Sequence, residues 1–250
     1  MARHRPYVLS LAGLDPSGGA GLLADIKTME AHRVYGLGVC TALTFQNDVQ
    51  FEGLEWIPMH KITQQADLLF DRFTINCAKI GLVENGAVLG KLITYLKNRN
   101  PGIQLILDPI LRASAGFTFH ADTQEPLWQR ILEQLTLITP NWNEMQQLVP
   151  EQAPLQGAAF MSRHCAVLLK GGHHPQAPGR DYLFLGNRQY PFRPKGTRMV
   201  AKHGSGCVLS SAIAAHLAKG YTLPRACLRA KAYTAKFLSS SPQLLGYHTF

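Results

Sequence analysis

Two glycine-rich segments of this 250-residue chain carry the residue types that handle anions. The first, Gly13-Leu14-Asp15-Pro16-Ser17-Gly18-Gly19-Ala20-Gly21, follows a short apolar run and opens onto a helical pattern. Glycines there allow close backbone approach to a ligand and leave amides at a helix start. Gly19 to Ala24 formally matches the GxGxxA dinucleotide fingerprint, but that fingerprint also needs an acid about 20 residues on, at the end of the second strand. The corresponding run ends Leu43-Thr44-Phe45-Gln46-Asn47, without charge, which sets hydride chemistry aside. The second segment, Lys202-His203-Gly204-Ser205-Gly206-Cys207, precedes a small and apolar stretch from Val208 to Ala218. Successive amides from Gly204 to Cys207 would point outward at the positive end of a helix dipole and form an anion hole. Phosphoryl transfer needs positioning and charge stabilisation, and such a hole supplies both. In this reading the helix start would lower the Cys207 thiol from a pKa of about 8.5 toward neutrality. The competing reading is a helix start whose glycines only turn the chain and whose cysteine is core; spacing alone leaves the two near even. Neither a P-loop nor a GxSxG elbow occurs.

Three further pieces fall at the ends of expected strands, where an open α/β sheet places its ligands. Leu107-Asp108-Pro109 brings one carboxylate. Thr139-Pro140-Asn141-Trp142-Asn143-Glu144 brings an amide and a carboxylate suited to magnesium, directly or through its waters. Leu168-Leu169-Lys170-Gly171-Gly172-His173 ends a third strand with a lysine suited to phosphate oxygens. Singly, each is a turn or a helix cap. Jointly, a lysine, two acids and two glycine-rich helix starts describe a metal-dependent phosphoryl-transfer site.

The elements that must hold these residues follow from hydrophobic periodicity. Short apolar runs at Tyr7–Ala12, Gly38–Leu43, Ala78–Leu82, Gln104–Leu107, Leu135–Thr139 and Ala166–Leu169 predict buried strands. Helical spacing at Gly21–His32, Ile62–Phe73, Ala87–Asn98, Glu125–Glu133 and Leu155–His164 predicts the helices between them. That alternation implies a mostly parallel sheet covered on both faces. Tyr182–Leu185 and Gln189–Phe192, joined by Gly186-Asn187, predict a hairpin, and Ser205–Lys219 and Leu223–Ser239 two closing helices. No linker, repeat or low-complexity segment divides the chain, so residues 1–250 are expected to form one α/β domain.

Composition excludes several classes. Hydrophobic residues make up 46% and charged residues 16% of the chain, a balance that builds a core rather than a disordered polymer. No stretch reaches the ~18 apolar residues of a membrane span. The N-terminal apolar run superficially imitates a signal peptide but is short and ends in Asp15-Pro16. Five scattered cysteines without a CxxC pair argue against a disulfide framework or a structural zinc site, and a reducing cytoplasm is expected. The net charge of +9 sits entirely in the C-terminal part: residues 182–250 hold ten Lys/Arg and no acid. Such a field suits a polyanion, either nucleic acid or a nucleotide polyphosphate, or is a solvated basic face.

With these segments in view, the sequence resembles the hydroxymethylpyrimidine/phosphomethylpyrimidine kinases of the ribokinase superfamily, from about Tyr7 to Ser240. The resemblance is carried by AGLDPSGGAGLLADIKT (12–28), TALTFQN (41–47), KIGL (79–82), LDP (107–109), ITPNWNE (138–144), LLKGGH (168–173), DYLF (181–184) and HGSGC (203–207), in that order and spacing. It implies a ribokinase-like three-layer α/β/α sandwich and an ATP- and Mg2+-dependent kinase of thiamine biosynthesis. Its substrates would be 4-amino-5-hydroxymethyl-2-methylpyrimidine and then the monophosphate of that alcohol. By position, Gly204, Ser205 and Gly206 would form the anion hole, and Cys207 would stand where most ribokinase relatives carry an aspartate base. Gln46 would hydrogen-bond the aminopyrimidine, helped by backbone near Gly13, Ala20 and Thr44, with Leu82 and Ile110 lining the pocket. Asp108, Asn141 and Glu144 would organise magnesium and phosphates, while Lys170 and Lys231 would approach the nucleotide. A homodimer acting on a small molecule, without nucleic acid or membrane, is also implied. The chain departs from the family pattern after Pro109, where Ile110-Leu111-Arg112-Ala113-Ser114-Ala115-Gly116-Phe117 replaces V-M-x-A-K-S-G-D. The loss of that lysine and aspartate bears most on the second phosphorylation, whose acceptor is already anionic. The alternatives are a pyridoxal kinase of the same cysteine-bearing type and a non-catalytic sensor of the pyrimidine or nucleotide. A nucleic-acid binder is a third, motivated by the basic residues alone.

Overall fold

The computed structural model describes residues 4–110, 125–174, 176–194 and 200–249. The Arg112–Phe117 departure, and Lys195 and Arg198 of the basic set, lie outside the described residues. The chain begins with strand β1 (Tyr7–Leu14), helix α1 (Gly21–Ala31), β2 (Tyr35–Gln46), β3 (Phe51–Trp56), α2 (Met59–Arg72) and β4 (Ile75–Ile80). It continues through α3 (Gly86–Arg99), β5 (Gln104–Leu107), α4 (Glu125–Leu132), β6 (Leu137–Ile138), α5 (Trp142–Leu148), α6 (Pro154–Met161) and β7 (Ala166–Leu169). A hairpin of β8 (Asp181–Leu185) and β9 (Arg188–Phe192) precedes α7 (Ser205–Ala218) and α8 (Leu223–Leu238).

The described strands form one sheet in the order β3-β2-β1-β4-β5-β6-β7-β8-β9. The six strands from β2 to β7 run parallel, and antiparallel β3 and β8–β9 extend the two edges. Side chains alternate between the faces of a strand, and the cores follow that alternation. Leu9 and Leu11 of β1, Leu105 and Leu107 of β5, and Val167 and Leu169 of β7 join the core beneath α2 to α6. Val8, Ile106, Ala166 and Leu168 join the core beneath α1, α7 and α8. The result is the expected three-layer α/β/α sandwich. Helix α7 is small and apolar on all sides because it is buried along its length, from Cys207 to Leu217. Among the described residues, no helix is long and apolar enough to cross a membrane.

Two elements depart from the sequence expectation. Strand β3 was not anticipated; its apolar residues Phe51, Leu54 and Trp56 are only partly buried and break period-2 alternation. It lengthens β2 to Gln46 by pairing Gln46 with Phe51. Helix α5 starts inside the segment read as ligand-binding, because Asn141 and Glu144 form a reciprocal capping box.

Candidate functional site

All six parallel strands end on the same edge of the sheet; candidate residues lie at or after those ends, and the Gly204–Cys207 turn and Lys231 are brought to them by α7 and α8. After β1, Asp15 is buried and its carboxylate accepts from the Ser17 amide (2.9 Å), the Ser17 hydroxyl (2.8 Å) and the Ala20 amide (2.8 Å). The loop therefore turns on its own aspartate, which takes one of the amides that the sequence offered to a ligand. Burial alone would raise the Asp15 carboxyl, but hydrogen bonds from His203, Ser17 and Ala20 outweigh it and hold it below the usual range. Gly204, the N-cap of α7, has φ +72°, and a Cβ on it would stand 2.0 Å from the Gly19 carbonyl oxygen. Only glycine fits that left-handed, close-packed position, so the second glycine-rich turn abuts the first.

At one end of the space between them, Gln46 donates through Nε2 to Thr44 Oγ1 (2.9 Å), which donates to the Leu14 carbonyl (2.8 Å). Leu82 and Ala42, with Ile110, Phe51, Leu54 and Trp56 around them, make a small apolar cluster separate from the two main cores. At the other end, Lys170 Nζ contacts Asp108 Oδ1 at 2.8 Å and Glu144 Oε2 at 3.6 Å. Thr139 and Ser210 hydroxyls also donate to Asp108, at 3.0 and 3.2 Å. A Cβ on Gly206 would sit 3.3 Å from Lys170 Nζ, which places this lysine beside the first turn of α7, where backbone amides lack partners within the helix. Lys231 is anchored to Asp181 Oδ2 (2.7 Å) and the Gly179 carbonyl (2.6 Å).

These groups face one cavity of about 730 Å³. It is lined at one end by Gly13, Ala20, Thr44, Gln46, Leu82 and Ile110. At the other it is lined by Asp108, Asn141, Glu144, Lys170, Lys231 and the turn Gly204-Ser205-Gly206-Cys207. The structure thus brings together every residue that the family resemblance places in the site. It also adds Phe51 and His203, which sequence reasoning gave no role; the Gln46–Phe51 pairing across an unanticipated hairpin is invisible to motif spacing.

Two expectations are corrected, and a third segment holds its helix-cap reading beside its ligand reading. The Cys207 thiol is not lowered toward neutrality: it is 6% exposed, and burial pushes it up to about 11 although Lys79 and the Gly21 amide favour the thiolate. Asn141 and Glu144 are helix caps, as their segment taken singly suggested, since Glu144 Oε2 accepts from the Asn141 amide (2.6 Å) and Asn141 Oδ1 from the Glu144 amide (2.9 Å). The basic C-terminal residues do not converge on the cavity. Among those described, Lys231 alone lines it; Lys202 is buried against the backbone carbonyls of Ser241 and Gln243, and Arg225 and Arg229 both lie over the Tyr221 ring.

Comparison with known proteins adds the following. The family model described as phosphomethylpyrimidine kinase matches residues 15–249. The chain is similar to the hydroxymethylpyrimidine/phosphomethylpyrimidine kinase of Salmonella typhimurium, with 34% identity over 250 residues, covering 96% of this chain and 94% of that protein. It spans only 41–43% of the length of three Saccharomyces cerevisiae relatives that it matches at 33–35% identity. The crystal structure of phosphomethylpyrimidine kinase from Clostridium difficile superposes with a TM-score of 0.78 at 28% identity, covering 93% of this chain and 99% of that one. The pyridoxal kinase of Staphylococcus aureus, in complex with AMP-PCP and pyridoxal, shares the fold with a TM-score of 0.80 at 22% identity over 95% of this chain and 89% of that one.

Proposed function

The chain belongs to the phosphomethylpyrimidine kinase family, and on that premise we propose that it transfers the γ-phosphoryl group of ATP to the hydroxymethyl group of 4-amino-5-hydroxymethyl-2-methylpyrimidine, and then a second to the resulting monophosphate. The observation that carries this reading is the shared cavity: the Gln46 amide at one end and the Gly204–Cys207 turn beside Lys170 at the other. In this reading an aminopyrimidine presents its donor–acceptor edge to Gln46. Its hydroxyl lies near Cys207, and the triphosphate end lies along Lys170 and the α7 amides. Those amides and the lysine stabilise charge on the transferring phosphoryl group. Because the Cys207 thiol is raised to about 11, it is protonated at neutral pH and accepts the hydroxyl proton only in the small fraction that ionises.

The residues present fit magnesium. One lysine lies between two carboxylates, Asp108 and Glu144, leaving the trio short of one positive charge. Among the described residues, no cluster of three or more His, Cys, Asp or Glu side chains could cage a metal. That is the arrangement of an ion held by one or two carboxylates, water and ligand phosphate. Bound there, magnesium would neutralise phosphate charge; Asp108 and Glu144 would hold it, with Asn141 fixing the start of α5.

A second reading, pyridoxal phosphorylation, is favoured by the shared fold with a pyridoxal kinase. One assay separates these readings: ATP with the hydroxymethylpyrimidine, its monophosphate and pyridoxal in parallel, products identified by mass. We expect both pyrimidines to be phosphorylated. No ADP release with any of the three would remove the kinase reading and leave the sensor, whereas ADP release independent of all three would remove both. Gln46→Leu is expected to cost about 10²-fold in kcat/KM on the pyrimidine and less than about ten-fold on pyridoxal, because only the pyrimidine leaves an edge unpaired. Equal losses would overturn the role given to Gln46. The homodimer belongs to the same reading; Leu43, Phe45 and Val49 expose apolar surface along β2 and the turn after it, and a monomer by equilibrium sedimentation would remove it.

A further inference from the structure

The two glycine-rich turns are joined by a buried pair that the reaction described above does not use. Asp15, which organises the Ser17–Ala20 turn, meets His203 Nε2 through Oδ2 at 2.8 Å, and both side chains are buried. His203 immediately precedes Gly204, and Gly204 packs so closely on the first turn that its Cβ would fall 2.6 Å from Ala20 Cα. A third segment closes the arrangement from outside. The His203 amide donates to the Leu244 carbonyl (3.0 Å), and Lys202 Nζ donates to the carbonyls of Ser241 (2.6 Å) and Gln243 (2.5 Å). A Cβ on Gly19 would lie 2.6 Å from Leu245 and 2.7 Å from the His203 ring. The other ring nitrogen of His203, Nδ1, is buried without a partner among the described residues. An unpaired buried nitrogen costs stability, so packing alone does not account for an imidazole here; the bond to Asp15 must be what the position needs.

Resting on the phosphoryl-transfer reading, we propose that Asp15 and His203 are positioning residues that lock the Ser17–Ala20 turn to the Gly204–Cys207 turn, so that filling the heterocycle end of the cavity and shaping its phosphoryl end become one event. Ala20 lines the first end and Gly204 to Cys207 the second. With the turns locked, a heterocycle seated against Ala20 holds the α7 amides in place for the phosphate. A misplacement of about 1 Å costs on the order of 10²-fold in rate. The coupling is also reciprocal: whatever factor the heterocycle adds to nucleotide affinity, the nucleotide adds to the heterocycle.

The test compares wild type with His203→Leu, which removes the donor to Asp15, and His203→Gln, whose Nε2 can still reach it. It reads kcat with ATP and the hydroxymethylpyrimidine, and AMP-PCP affinity by calorimetry with and without that pyrimidine. In wild type the pyrimidine is expected to tighten AMP-PCP by about five-fold or more. In His203→Leu, kcat falls about 10²-fold and the coupling disappears. His203→Gln recovers most of both losses. Full coupling in His203→Leu, or His203→Gln no better than His203→Leu, overturns the proposal. Should His203→Leu fail to fold, Asp15→Asn takes its place, and wild-type coupling in that variant overturns it equally. A wild-type chain that phosphorylates none of the three compounds removes the functional reading, whereas one that turns over without coupling removes this inference alone.

Discussion

Two lysine–aspartate pairs flank α7, each closed at 2.8 Å, and they end in opposite circumstances. Lys79 and Asp25 are wholly buried. Asp25 also accepts from the Ser10 and Ser211 hydroxyls at 2.6 Å each, so the set is neutral and its carboxylate is saturated. Burial alone would lower the Lys79 ammonium, but Asp25 outweighs it and keeps it charged. Lys170 and Asp108 instead face the cavity, with Glu144 as a second acid on the same lysine. There the count of charges is unbalanced, and burial and Asp108 push the Glu144 carboxyl up while Lys170 opposes them. The same two residue types therefore make a closed joint in one place and an open coordination set in the other. What separates them is the second acid, Glu144, and access to the cavity, not the ion pair or the number of donors on its carboxylate, since Asp108 also accepts from a lysine and two hydroxyls.

The largest effect that would break this contrast is on stability. Lys79→Met leaves Asp25 buried without its cation, and removing one partner of a buried pair costs about 3–5 kcal/mol. For a chain of this size that is a fall of roughly 6–20 °C in melting temperature. The double variant Lys79→Met with Asp25→Leu should recover most of the loss, because an apolar replacement of the whole pair leaves no stranded charge. Thermal melts of the three proteins decide it: if the single variant melts like wild type, the pair is not the joint described.

The next effect falls on rate. Lys170→Met removes the cation beside the α7 amides, and kcat/KM for ATP-dependent phosphorylation should fall by about 10²–10³-fold. Its melting temperature should drop less than half as far as that of Lys79→Met, since Asp108 lines the cavity, where water can reach it, whereas Asp25 is sealed in the core. A large loss of stability with little loss of rate would exchange the roles of the two pairs.

This contrast also marks how far the sequence could be read. Apolar runs bounded by turn residues located β5 and β7 to the residue, Gln104–Leu107 and Ala166–Leu169, because a strand buried on both faces has a continuous signature. Strand-end chemistry was legible for the same reason: Asp108 and Lys170 directly follow such runs. Edge strand β3 was not, since partial burial erases its pattern. Lys79 was quoted within KIGL but given no role, although a lysine at an inward-facing strand position already demands a buried acid. Asp25, Ser10 and Ser211, its partners, are remote in sequence, and only the packing of α1 and α7 on β1 and β4 gathers them. Asn141-x-x-Glu144 carries a local signal, the capping-box spacing, which marks the start of α5 as well as a ligand pair.

Cys207 measures the difference between the pairs most finely. It stands at the start of α7 between them: Lys79 favours its thiolate, whereas burial, Asp25 and Asp108 oppose it, and the thiol rises to about 11. At pH 7 the thiolate is then about one part in 10⁴. Iodoacetamide should therefore modify Cys207 slowly at neutral pH, at a rate rising about ten-fold per pH unit until pH approaches 11. Mass spectrometry of the Cys207 peptide across that range gives the profile. In Lys170→Met the Asp108 charge loses its nearest cation, which moves the profile to still higher pH. With so little thiolate present, Cys207→Ala should cost only about ten-fold in kcat, below the roughly 10²–10⁴-fold typical of a general base and below the cost of Lys170→Met. A midpoint near 7 would mean that the helix start outweighs burial. The thiol would then be an active base at neutral pH, and Cys207→Ala would rank with Lys170→Met.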